Sequence, residues 1–432
     1  MTSAATISPS TAAQSKTRSS LNVRVLIALA YVLLIGAAIG VRLFTFDRYM
    51  PVIDHYDESL RFLHAYSIRP DAPLGRSYGE IEWEAGFPPF QPWFTGMVQR
   101  VVEARMPFPL PSEYIYVMKA ISAALGVLTT AILAGIGWML GRPLGFAGQA
   151  LTGWMTALPW AIGPMIVATG NFALMDPLLF PMIAGALWFA IYAIQYDSVW
   201  ALVGSLACVI LAIYTKYVVI YALWPVACAA IVLIHRRGWR KMLPALAGMA
   251  LFSALTAAYL IFVHGAFSLD NRESNKFKTV GLEYMISPVR NLDNLAYTID
   301  QSVGLALFGV VLIAGIAAYF YSKRRGEAVV NPLWLVVLLP FLIGCIMLTS
   351  SVDVISQTDP KWFRVRYVLP VMPAITAIAA AALAQVVITL RNRGQMLFAA
   401  LATLAVVVAF SVPALATDVA EAQRFAQTHG KE

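Results

Sequence analysis

The sequence predicts an all-α polytopic membrane protein with about 11 transmembrane helices and a long first outer loop carrying interfacial helices. Three observations predict it. Residues are 59% hydrophobic and only 12% charged, whereas a soluble domain carries about 25% charged residues. Apolar windows of about 20 residues, the length that crosses the hydrocarbon as a helix, recur along the chain. Basic residues gather in alternate short loops between those windows, the asymmetry that orients membrane helices.

Taken in order, residues 1–20 are rich in Ser, Thr and Ala and read as a disordered cytoplasmic tail. Residues 21–413 form the transmembrane domain, with 43–115 as its first outer loop, and 414–432 form a short outer tail. Leu21–Val41 is the first span. A cleaved signal peptide would have an apolar core of only about 7–15 residues and a small-residue cleavage site; no such site follows Arg42. Further windows lie at Tyr116–Leu140, Gly145–Ile166, Ala173–Ile194, Val199–Tyr214, Val218–Ile234 and Met242–Val263, then at Ser302–Tyr321, Val329–Thr349, Tyr367–Leu390 and Gln395–Val412. Phe90–Val102 is too short and too rich in Gln and Arg to cross, and reads as a juxtamembrane helix.

The short loops fit this count. Arg142, the group Arg236, Arg237, Arg240 and Lys241, the run Lys323-Arg324-Arg325, and Arg391 with Arg393 all fall on the side of the N-terminal tail. By the positive-inside rule that side is cytoplasmic. The Gln195–Ser198 turn is the one inner loop without a basic residue. The net charge of +8 is thus first a topology signal. Its scatter over short loops speaks against nucleic-acid binding. Cys208, Cys228 and Cys345 all lie in apolar runs and read as small buried hydrophobes, not as a metal site or disulfide framework.

Polar chemistry is concentrated outside the membrane. The loop from Ile53 to Phe94 holds Asp54, Asp57, Glu58 and His64. A carboxylate there can act as general base toward a hydroxyl while its neighbours tune it or hold a divalent cation; Asp57 could equally cap an amphipathic helix. Gly86-Phe87-Pro88-Pro89-Phe90-Gln91-Pro92-Trp93 reads as a rigid turn entering an interfacial helix. Asp176-Pro177 suits a helix start, and a capping Asp can still offer one oxygen to a ligand. Lys216, flanked by Tyr214-Thr215 and Tyr217, either snorkels to the interface or supplies a point charge for a phosphate. Lys361, Arg364 and Arg366 stand on the outer side against the positive-inside trend, balanced by Asp353 and Asp359 or by a bound anion.

In this order and on one side, these segments resemble the type C glycosyltransferases that use lipid-phosphate sugars, such as the protein O-mannosyltransferases and the lipid A aminoarabinose transferases. Those families have an Asp-Glu pair in the first outer loop, a His-Pro-Pro-Leu-like segment, a Leu-Asp-Pro-Leu-like segment, a Thr-Lys and a late Arg-Tyr-Leu-Leu-Pro stretch. The counterparts here are Asp57-Glu58, Phe87-Pro88-Pro89-Phe90, Met175-Asp176-Pro177-Leu178, Thr215-Lys216 and Arg366-Tyr367-Val368-Leu369-Pro370. Phe87 replaces the usual His. The resemblance spans roughly Val23 to Leu390 and implies transfer of a sugar from a polyprenyl-phosphate donor to a glycan, lipid or protein acceptor at the outer membrane face. Asp57, Glu58 or Asp54 would be the base. Lys216, Arg364, Arg366 and Tyr367 would hold the donor phosphate. Asp176, His64, Gln91 and Trp93 would line the substrate cavity, and Asp57 with Asp176 could hold a divalent metal. No cofactor is otherwise implied. The alternative is a transporter or flippase for a lipid-linked sugar, which would want ionisable residues inside the spans; their middles hold almost none.

Overall fold

The computed structural model describes residues 9–46, 90–105, 111–171, 176–263, 288–348 and 369–429. Every regular element among them is helical. The helices are α1 (Pro9–Phe46), α2 (Phe90–Arg105), α3 (Pro111–Leu140), α4 (Gly145–Ile162), α5 (Pro164–Asn171), α6 (Asp176–Tyr196) and α7 (Val199–Thr215). They continue with α8 (Leu223–Arg237), α9 (Trp239–Ala258), α10 (Pro288–Val303), α11 (Leu305–Arg324), α12 (Leu335–Leu348), α13 (Met372–Asn392) and α14 (Met396–His429). Short 3-10 turns precede α4, α8, α12 and α13.

Among the described residues, eight helices are long and apolar enough to cross a membrane: α1, α3, α6, α8, α9, α11, α13 and α14. The shorter apolar helices α7 and α12 and the 18-residue α4 occupy the remaining expected positions. Expected and observed bounds differ at helix breaks. The third window runs only to Ile162, because Gly163 turns extended and Pro164 starts a new helix, where a missing N–H does no harm. The sixth opens with the 3-10 turn Tyr217–Ala222 before α8.

The bundle centres on α6 and α13, each with 72% of its apolar window buried, against 6% for α9 and 11% for α1 and α14. The outer helices therefore keep apolar faces for lipid. No hydrophobic effect drives helices together within lipid, so close contact rests on small residues. The α3–α4 hairpin has them. A Cβ at Gly137 would lie 2.4 Å from Thr152 O, and one at Gly141 2.5 Å from Gly148 O. Thr152 and Thr156 keep their hydroxyls on carbonyls of their own helix.

The basic turns converge on one end. Arg142 lies over the Tyr196 ring at 5.0 Å. Arg236 donates to Ile194 O, and Arg237 Nε to Asp197 Oδ2 at 2.8 Å. The Gln195–Ser198 turn thus borrows its cations from the α8–α9 turn. Arg393 lies over Tyr321 at 3.7 Å, and the Arg142–Leu144 turn packs on α13. The start of α6, the end of α7 and the start of α13 therefore share the opposite end.

Candidate functional site

α6 and α7 form a hairpin around Asp197-Ser198, so the first residue of one arm meets the residue just past the other. Lys216 Nζ donates to Asp176 Oδ1 at 2.6 Å, across 40 positions. Asp176 is 1% exposed and Lys216 7%. Each break in the helices is local. Pro177 follows Asp176 where a helix needs no N–H. Lys216 is extended, with φ −157° and ψ 112°, between α7 and the turn Tyr217–Ala222. Its N–H still reaches Ala212 O at 2.8 Å and its carbonyl accepts from Val219 N at 3.2 Å. The chain thus changes direction without orphaning those backbone groups.

The flanking residues brace this corner. Thr215 Oγ1 donates to Leu211 O at 2.8 Å and lies 3.5 Å from Met182 Sδ on α6. Tyr214 donates to Thr256 O at 3.3 Å, just where α9 widens into the π turn Tyr259–Val263. Tyr221 is 1% exposed, with its ring 5.4 Å from Phe341. Gly344 lets α12 close on it, since a Cβ there would lie 3.0 Å from Tyr221 Cβ.

Two further buried cations stand toward the same end, and sequence reasoning missed both. Arg42 is 1% exposed and lies inside α1, which runs past the expected end at Val41 to Phe46. It donates to Ala38 O (3.1 Å), Ala161 O (3.3 Å) and Trp160 O (2.7 Å). The last two are carbonyls at the negative end of α4. Trp160 meets Phe180 edge-on at 5.2 Å, one turn beyond Asp176. Lys119, 1% exposed, lies on α3. The available signal was their place at span ends away from the basic turns, the anomaly that singled out Lys216.

The structure thus brings Asp176 and Lys216 together, a pairing expected for neither. Gln91 and Trp93 lie in α2, which packs against α3 and against α7, the helix ending before Lys216. Trp93 is half-buried, with its ring 5.8 Å from Phe90. The turn Leu369–Val371, just after Tyr367, is buried against α6. Asp54, Asp57, Glu58, His64, Arg364, Arg366 and Tyr367 lie outside the described residues. Among those described, no group of three His, Cys, Asp or Glu is placed to hold a metal. What the pair supplies is an ammonium beside a carboxylate, both largely buried, where electrostatic interactions are strong.

No protein-family model matches the chain, and no curated protein matches it. Among solved structures it is similar to the Archaeoglobus fulgidus oligosaccharyltransferase, crystallised as a complex with Zn and sulfate, at 14% identity and a TM-score of 0.49. The match covers 90% of this chain and 53% of that one, so the chain spans about half the length of that protein.

Proposed function

We propose that the chain is an integral membrane glycosyltransferase. It moves a sugar from a polyprenyl-phosphate donor to an acceptor hydroxyl at the outer face of the plasma (inner) membrane, in cell-envelope glycan, glycolipid or protein glycosylation. One observation carries this reading: the buried Asp176–Lys216 pair at the end opposite the basic turns. It joins two of the segments that resemble the lipid-phosphate-sugar-dependent families, at one end of the bundle.

The chemistry follows from those groups. The acceptor oxygen attacks the anomeric carbon as its proton passes to Asp57, with Asp54 and Glu58 as the other candidate bases. The bond from that carbon to the phosphate oxygen breaks, and the polyprenyl phosphate leaves with the electron pair. In-line displacement inverts the anomeric centre. The departing phosphate needs charge stabilisation more than a proton. An ammonium has three N–H donors, so Lys216 can hold Asp176 and still meet a phosphate oxygen. The turn Leu369–Val371, which follows Arg364, Arg366 and Tyr367 in the chain, packs against α6, the helix that opens with Asp176; this supports a shared site for those residues and Lys216. A metal held by Asp57 and Asp176 would share the Asp176 carboxylate with Lys216, whose ammonium sits on Oδ1.

The transporter reading requires ionisable groups buried at mid-span. Among the described residues the buried charged ones are Arg42, Lys119, Asp176 and Lys216, each near an end of an apolar span. The test is mass spectrometry of envelope glycans, glycolipids and glycoproteins with and without the protein, paired with an assay of polyprenyl phosphate released by the full chain in vesicles. Loss of one sugar from one acceptor class, with protein-dependent release, is expected. Unchanged glycans with donor crossing the vesicle membrane would overturn the enzyme reading in favour of transport.

A further inference from the structure

The cation cluster at the opposite end has a geometry that topology alone does not require. Tyr321, near the end of α11, has Arg393 over its ring at 3.7 Å and Arg325 at 4.9 Å. The two guanidiniums are therefore within about 9 Å of each other, as like charges sharing one aromatic ring. Lys323, Arg324 and Arg391 stand beside them, and all five cations are exposed. Among the described residues, none of the five is in an ion pair with a carboxylate. The nearby acid, Glu327, accepts from Ser322 at 3.1 Å, within a polar network that continues to Thr389 on α13.

Helix ends explain part of this. The C-termini of α11 and α13 each carry about half a negative charge. With Glu327 counted as well, a local excess of about three positive charges remains. The neighbouring surface is apolar: Leu397, Leu401 and Leu404, spaced i, i+4 and i+7 along one face of α14, are 69%, 50% and 57% exposed, and Phe320 on α11 is 56% exposed. A soluble acidic partner has no use for that apolar strip. A molecule with a phosphate head and acyl chains fits both.

We propose that Arg325 and Arg393, held on Tyr321, bind the headgroup phosphate of an anionic phospholipid whose chains lie along Leu397, Leu401 and Leu404. A guanidinium grips phosphate through two parallel N–H bonds, and the shared ring holds both forks beside one headgroup. This site is independent of the proposed sugar transfer and uses none of its residues.

The experiment is native mass spectrometry of the full chain in detergent, titrated with phosphatidylglycerol, with phosphatidylcholine of the same acyl chains, or with inorganic phosphate. Phosphatidylglycerol should be retained in preference to both. Near a membrane surface each Lys or Arg contributes about a fivefold gain in affinity for anionic lipid, so Arg325→Gln with Arg393→Gln should lower retention about thirtyfold. Arg325→Lys with Arg393→Lys, which keeps the charge and the polar network, should lose several-fold. Arg240→Gln with Lys241→Gln, an equal charge removal at another turn, should change it little. Equal loss in that control, full retention in the paired Lys variant, or binding of inorganic phosphate as tight as that of the lipid would each overturn the site.

Discussion

Gly126 on α3 faces the Arg42 guanidinium so closely that a Cβ built on it would lie 2.4 Å from Arg42 Nε. The guanidinium cannot swing away without leaving the Trp160 and Ala161 carbonyls. Hydrogen bonds from a charged group are worth about 1.5–3 kcal/mol each. Gly126→Ala should therefore destabilise the protein by about 2–4 kcal/mol in thermal unfolding in detergent. Adding Arg42→Met should remove most of the further penalty due to the methyl group. If Gly126→Ala is as harmful in the Arg42→Met background as in the unaltered chain, the clash lies elsewhere.

The buried pair makes a second prediction. Removing one partner of a buried ion pair leaves an uncompensated charge, at about 3–5 kcal/mol. Asp176→Leu and Lys216→Met should each cause a loss of that size. The double variant should lose less than either alone, since apolar replacement of a whole buried pair is often close to neutral. Sugar transfer should be absent in all three. Additive losses in a double-mutant cycle would mean that the two charges are not coupled.

These two contacts show what the sequence made legible and what it could not. The spans were legible because lipid imposes an apolar window about 20 residues long. Asp176 and Lys216 stood out by type and place, but a pairing across 40 positions is set by hairpin geometry, which hydropathy does not encode. Arg42 was misread because a window treats a charge as the exit from the bilayer. It cannot see that carbonyls at the end of another helix will receive that charge. The break at Gly163-Pro164 was written in the dipeptide itself.

The ion pair between Asp197 and Arg237 should behave differently from the buried one. Its side chains are 43% and 37% exposed, and exposed pairs are worth about 0–1 kcal/mol. Asp197 also sits at φ 54°, in the left-handed region, which glycine adopts freely. Asp197→Gly should therefore change stability by less than about 1 kcal/mol, and Asp197→Val should lose about 1–2 kcal/mol more. Similar unfolding temperatures for the two variants would show that the backbone conformation does not matter there.

Topology is open to direct labelling. The basic turns predict that residues 47–113, residues 265–301 and the C-terminal tail share one side. Single cysteines at Ser274 and Thr428, introduced into a chain lacking its three native cysteines, should react with an impermeant maleimide added outside intact cells. The starts of α6 and α13 would then lie toward that side. Labelling of the two positions from opposite faces would end this orientation, and the proposed reaction face with it.

The last prediction separates the base from the phosphate site. A base acts only as the hydroxyl attacks, so Asp57→Asn should cut the rate of transfer by about 100- to 10,000-fold. Binding of the polyprenyl-phosphate donor should stay nearly unchanged. Arg366 should act on binding as well, because its charge meets the phosphate before and after the bond breaks. Arg366→Ala should weaken donor binding about tenfold to hundredfold, the value of a charge-assisted hydrogen bond. Arg366→Lys should recover only part of this, keeping the charge but losing the fork. Lys216 needs a different control, since its loss also unbalances Asp176. Lys216→Met should be compared with the Lys216→Met, Asp176→Leu double variant, in which the fold no longer holds a lone buried charge. If that double variant binds donor as tightly as the unaltered chain, Lys216 serves the fold alone, and the phosphate belongs to the arginines or to another part of the surface.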